Sequence, residues 1–245
     1  MKNKLINFIQ RYNVDDMVKA VSVTSKDKTL STKFISDDNQ VMGQVNEYGI
    51  DIDEGTICIR DTDQLLRMLH ILNDDINIDL IGEADQYTSL ALSDGNIKVN
   101  FLLCDPSIIV HKEARFSDPG MIFHLTSAFC NNFVKAYSAL IDNEFFTIEP
   151  DGQENVKVIV GPHKRNGQVQ MNVTLTTPVD SMDDFLMDSV KMRSGVFKDI
   201  IIANKDFEQG VVHVIESHAI KISFHKPDGF SSQYYLPAVQ QDEND

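Results

Sequence analysis

Leu5, Phe8, Ile9 and Tyr12 recur at helical spacing, which predicts an amphipathic helix over residues 3–13. Alternating, strand-like runs follow: MVKAVSVT, LSTKFIS, QVMGQVNE and GIDIDEGTICIR. Asp61-Thr62 then offers an N-cap to DQLLRMLHILN, a second helix with Leu65, Leu66, Met68, Leu69 and Leu72 on one side. Strands INIDLIG, QYTSLALS and NIKVNFLL lead to Cys104, where Asp105-Pro106 breaks the chain. After SIIVHKEARFSDPG, a connector without periodicity, the pattern restarts. Strand MIFHLT precedes helix SAFCNNFVKAYSAL, which carries Phe129, Phe133 and Tyr137 on one stripe. Strands NEFFTIE, NVKVIVG, QVQMNVTLT and FLMD come next. SVKMRSG reads as a short helix, and VFKDIII, GVVHVIES, AIKISFH and QYYLPAV as strands.

Each half thus reads as helix, strands, helix, strands, an architectural repeat rather than a sequence repeat. The boundaries that follow are an N-terminal domain over 1–106, a connector over 107–119, a C-terminal domain over 120–238 and an acidic tail over 239–245.

Charge sharpens this picture. The chain has 245 residues, 22 Lys and Arg against 37 Asp and Glu, and a net charge of −15. Taken whole, that repels phosphate and argues against a nucleic-acid binder unless the charge is segregated. A helical wheel suggests segregation. The first helix turns Lys4, Asn7, Gln10 and Arg11 outward; the second Gln64, Arg67 and His70; the third Asn131, Asn132, Lys135 and Ser138; the short fourth Lys191 and Arg193. Beyond the capping turns these faces hold no acid. The acids gather in turns and strands: Asp37, Asp38, Asp51, Asp53, Glu54, Glu83, Asp85 and the tail. Two readings stand: four short faces free of acid by chance, or a helical surface that draws phosphate without reading sequence.

Cys58, Cys104 and Cys130 form no CxxC pair and read as reduced, buried thiols. No apolar run approaches the about 18 residues of a membrane span, and MKNKLINFIQRYN has no cleavable signal pattern. The sequence reads as soluble and intracellular.

DTDQLLRMLHILNDD followed by SDGNIKVNFLLCDPSIIV resembles the first-domain helix and closing strands of the sliding clamp of T-even-type bacteriophages, the ring-shaped processivity factor of the replicative DNA polymerase. VKMRSGVFKDIII resembles that clamp's last short helix and the strand after it. YYLPAV is similar to the C-terminal strand of cellular clamps such as proliferating cell nuclear antigen. GPHKRNGQ, over 161–168, departs from the pattern as a longer, more basic loop.

The resemblance implies an α+β clamp fold with two similar domains per chain. Helices would line a hole and antiparallel sheets would form the outside of a homotrimeric ring. Lys4, Arg11, Arg67, His70, Lys135, Lys191 and Arg193 would then face encircled double-stranded DNA. Ring closure needs head-to-tail contacts. The candidate edges are Ile97 to Phe101 (side chains Ile97, Val99, Phe101) and Val169 to Thr176 (Val169, Met171, Val173), unless either strand is internal. Ile108, Ile109 and Val110 on one side and Tyr235, Leu236 and Pro237 on the other would take a partner's peptide tail; ordinary packing of connector on core accounts for them equally. The implied partners are DNA polymerase and a clamp loader, in the cytoplasm of an infected host cell, with no membrane and no cofactor.

Catalytic constellations are missing from the sequence. His213 and His218 lie five apart, so a strand points them to opposite faces, and with His225 they read as scattered rather than metal-binding. Asp74-Asp75 reads as solvated turn acids. There is no GxSxG, P-loop or GxGxxG. Ser127, close to His124 and Cys130, reads as a helix start rather than a triad. The sequence therefore predicts no enzyme and no metal. A non-encircling interaction scaffold of the same fold and an unrecognised α+β hydrolase remain the alternatives.

Overall fold

In the computed structural model, Lys2–Asn13 forms the first helix, α1, because Leu5, Phe8, Ile9 and Tyr12 give it one continuous apolar stripe, all of it buried. The structure describes residues 1–83, 86–109, 120–152, 154–162, 171–182, 189–215 and 219–239. The chain divides into two units, Met1–Glu113 with Lys226–Ser232, and Ala114–His225 with Gln233–Asp245.

In the first unit α1 ends at Val14, which takes a left-handed conformation with its N–H bonded to Gln10 O. Strands β1 (Val21–Lys26), β2 (Thr29–Ile35), β3 (Met42–Tyr48) and β4 (Gly55–Ile59) make an antiparallel sheet in the order β3-β2-β1-β4. Helix α2 (Thr62–Ile71) starts where the Asp61 carboxylate accepts the Gln64 N–H at 2.8 Å. It buries Leu65 and Leu69 and packs against α1. A second antiparallel sheet, β5-β6-β7, follows: β5 (Asn77–Glu83), β6 (Gln86–Ser93) and β7 (Lys98–Leu102). The β6–β7 turn is held by Asp94, whose carboxylate accepts from the N–H groups of Asn96 and Ile97, at 2.9 and 2.8 Å, and of Asn73 at 2.7 Å. At the break, Pro106–Ile108 makes one 3-10 turn capped by Asp105, which accepts the Ser107 N–H at 2.8 Å.

The second unit repeats the plan. Its sheet is β8 (Met121–His124), β9 (Phe145–Asp151), β10 (Asn155–Val160), β11 (Val173–Met182), β12 (Val190–Arg193), β13 (Gln209–Ile215), β14 (Ala219–Lys226) and β15 (Phe230–Pro237), in the order β12-β9-β10-β11-β8-β13-β14-β15. The first residues of β15, Phe230–Ser232, belong to the first unit. Helices α3 (Ser127–Ala139) and α4 (Ser194–Ala203) pack on each other. Phe133, Phe146 and Phe197 form the centre of this core, with ring centroids 4.8–5.2 Å apart. Each such pair adds about 0.5–1.5 kcal/mol beyond area burial.

The α+β class expected from the sequence is the one observed. Two elements differ. VKMR is strand β12 and SGVFKDIIIA is helix α4, the reverse of the sequence reading. Val196, Phe197, Ile200 and Ile201 are all buried, an i, i+1, i+4, i+5 stripe that only a helix gathers on one face. Strand β11 also runs on to Met182, past a register shift between Val179 and Ser181. Strand FLMD, most of the connector, the loop over 163–168 and the tail beyond Val239 lie outside the described residues.

Candidate functional site: exposed helix faces and open sheet edges

Among the described residues four α-helices form two packed pairs, one per unit, and the sequence reading assigned its bases to their solvent faces. On α1, Lys4 and Gln10 are exposed and Asn7 is half-exposed. The Lys4 ammonium donates to Tyr48 O at 2.9 Å. On α2, Gln64, Arg67 and His70 are exposed, and Arg67 pairs with Asp63 one turn earlier. On α3, Asn131, Asn132, Lys135 and Ser138 are exposed, and Lys135 has no ion-pair partner among the described residues. No acid lies on the exposed faces of α1 and α3.

Three candidates need correction. Arg11 is 1 % exposed: its guanidinium pairs with the Glu47 carboxylate and lies 3.5 Å from the centroid of the Phe230 ring, so it faces no solvent. Lys191 and Arg193 sit on a strand, not on the fourth helix. Lys191 is half-buried with its ammonium 4.4 Å from the Phe145 ring centroid, and Arg193 is exposed, 3.9 Å from Glu144. The fourth helix offers Lys198 instead, which pairs with Asp199 at 2.8 Å, so this face is not free of acid. Exposed Lys205 follows the helix. Neither lysine was singled out from sequence, although the paired apolar residues at four-residue spacing carried the signal for the helix.

Of the two proposed edges, β7 lies at the side of its sheet among the described residues, whereas β11 lies between β10 and β8 and is open only along part of its length. Strand β7 pairs with β6 alone among the described residues. Strand β11 pairs with β10 over Val173–Pro178 and with β8 only from Val179 onward, so the second side of its first half has no strand among the described residues. Backbone N–H and C=O groups left without a strand partner along such an edge can extend a sheet from another chain. Ile97 is 38 % and Met171 72 % exposed, and Val99 and Val173 are half-buried. Phe101 is a correction: it is buried at 3 %, filling the first unit's own core, while its neighbour Leu102 is 78 % exposed. Val169 lies outside the described residues.

The fold is that of proliferating cell nuclear antigen, the cellular sliding clamp. The structure matches proliferating cell nuclear antigen from Entamoeba histolytica at a TM-score of 0.73, with 14 % identity over 98 % of this chain and 96 % of that one. The protein from Thermococcus kodakaraensis matches at 0.71, with 12 % identity over 98 % and 97 %. The one from A. fulgidus, solved with the C-terminal region of FEN-1 bound, matches at 0.73, with 16 % identity over 99 % and 98 %. No protein-family model and no curated protein matches the sequence.

Of the peptide-tail candidates, Ile108 is 53 % exposed and Ile109 half-buried, both in the first unit; Val110 lies outside the described residues. In the second unit Pro237 is exposed and Tyr235 half-buried, its hydroxyl pKa raised by burial. Leu236 is a correction: at 2 % exposure it belongs to the core and offers no wall.

The geometry around Ser127 is that of a helix start. Thr126 accepts the Phe129 N–H at 3.1 Å, and burial pushes the Cys130 thiol up to about 12, leaving it protonated. His124 pairs with Asp180 at 2.7 Å on an exposed strand surface. Burial, then Lys221, lowers the pKa of His213. His218 lies outside the described residues.

Proposed function

We propose that this chain is a subunit of a DNA sliding clamp of the T-even phage type. Three copies close into a ring, encircle duplex DNA and tether the replicative polymerase. The carrying observation is the likeness to proliferating cell nuclear antigen along 98 % of the chain or more, joined to exposed α1 and α3 faces without acid in a chain of net charge −15.

The chemistry follows from that segregation. Lys4, Arg67, His70 and Lys135 give the duplex a weakly positive lining, while the acidic remainder repels DNA from the outside. Contacts to phosphate alone carry no sequence information and leave the ring free to slide. Linkage is topological, so affinity need not be high. The β7 and β11 edges join head to tail, a heterologous contact whose rotation closes at three. Polymerase and clamp loader dock through short apolar tails near Ile108 and Pro237, in the cytoplasm of the infected host. No step of this function asks for a catalytic group or a cofactor.

Mass in solution and synthesis on a primed circular template test the reading together. A particle three times the 27.6 kDa chain, and long products that need both this protein and a clamp loader, are the expected results. A monomer that leaves product length unchanged overturns it in favour of a non-encircling scaffold.

A further inference from the structure

We propose that Cys58 and Cys104 form a reversible disulfide, which makes the end of β7 a thiol-oxidation site. The Cys104 N–H donates to Cys58 O at 2.8 Å. With standard backbone dimensions, a single N–H···O bond of this length holds the two Cα atoms within about 6.6 Å, inside the about 4.4–6.8 Å that a disulfide spans. Arg60 and Cys104 line one cleft of about 850 Å³, together with Asp61, Leu102 and Asp105. Cys58 and Arg60 both act electrostatically on the Cys104 thiol. Cys130 belongs to the other unit and is buried.

The two thiols differ in access, which sets the order of events. Cys104 is half-exposed in the cleft; Cys58 is 2 % exposed, its sulfur 3.7 Å from Ser22 Oγ. With a small disulfide such as oxidised glutathione as oxidant, the Cys104 thiolate attacks one reagent sulfur and expels glutathione thiolate. The Cys58 thiolate then attacks the Cys104 sulfur and expels the second. The protons lost by the two cysteines end on two molecules of glutathione, and the two electrons reduce the reagent. Burial, then Cys58, holds the Cys104 thiol above its ordinary value, which slows the first step near neutral pH.

The bridge would fasten β4 of one sheet to the end of β7 in the other. On the clamp reading, which this consequence alone rests on, it would stiffen an edge that joins two subunits.

The test needs no ring. The full chain is incubated with oxidised glutathione, then unfolded and alkylated, and its thiols and peptides are mapped by mass. One alkylated thiol, at Cys130, and a linked Cys58–Cys104 peptide pair are expected, with all three thiols returning after dithiothreitol. The Cys58→Ser variant should instead hold glutathione on Cys104, and Cys130→Ser should still form the bridge. Three alkylated thiols in the wild type, a glutathione adduct that persists on its Cys104, or a linkage that includes Cys130 overturns the proposal, whatever the oligomeric state.

Discussion

Arg11 and Glu47 meet as an ion pair inside the first unit, with side chains 1 % and 5 % exposed and the Phe230 ring against the guanidinium. Removing one partner strands a buried charge, which costs about 3–5 kcal/mol. Arg11→Ala should therefore lower stability by that order in denaturant unfolding. Replacing both residues by apolar ones of similar size should cost far less. Equal losses in the single and double variants would show that the pair is not coupled.

The same residue shows what a helical wheel misses. Lys4 and Arg11 are seven apart and fall at nearly the same angle, yet one is exposed and the other buried. The wheel gives direction around the axis; the cover from Glu47 and Phe230 depends on where along the axis distant segments reach. Phe230 lies more than two hundred positions away, and nothing local announces it. Helices α1, α2 and α3 were legible because each carries a single apolar stripe and the last two carry a capping residue. Helix α4 was not, because VFKDIII satisfies a strand pattern as well as a helical one until packing decides. The sheet edges were legible as strands, but that Phe101 faces inward and Leu102 outward follows from pairing register. The fold was thus read more securely than the site.

Changing Lys4, Arg67 and Lys135 together to Ala tests the helical lining. All three are exposed, so stability should move by about 0.5 kcal/mol or less per site. The Arg67–Asp63 pair contributes at most about 0.3–0.5 kcal/mol of that. Processive synthesis should fall, and the salt dependence of residual DNA affinity should flatten by about 0.9 for each phosphate that the variant no longer neutralises. Full-length products at the wild-type rate would remove these residues from the DNA-facing wall.

Asp94 sets a pH dependence. The Asn73 N–H, then those of Ile97 and Asn96, hold its carboxyl pKa below the ordinary 3.8. A folded-state pKa below the unfolded one stabilises above the unfolded value, and the gain is lost as pH falls through the folded value. The wild type should lose this contribution on acidification from about 3.8 downward, and Asp94→Asn should not. Parallel stability curves for the two proteins below pH 4 would show that the turn is not held by the charged form.

Asn204 closes α4 from inside. It is fully buried, its side-chain amide donating to Ile200 O and to the Tyr234 hydroxyl, each at 2.8 Å. Asn204→Leu keeps the volume but strips those donors from buried acceptors, which costs about 1–3 kcal/mol. Thermal unfolding should show the loss, with amide exchange in α4 faster than in α3. An unchanged melting temperature would mean that water or a neighbour takes over both bonds.

Met171 offers a way to separate folding from assembly. It is 72 % exposed just before the open half of β11, so a charge there meets water in the free chain and costs the fold little. In a ring closed through that edge the same charge would be buried against a neighbour without a partner, at a cost of several kcal/mol. Met171→Asp should therefore unfold like the wild type yet sediment as a monomer, and it should fail to support processive synthesis. Pairing it with the Lys4, Arg67, Lys135 triple variant distinguishes the two defects, since the triple variant keeps its mass. If Met171→Asp keeps the wild-type particle mass, the subunit contact does not run along the first half of β11, and the assignment of that edge must be abandoned even if the ring itself survives.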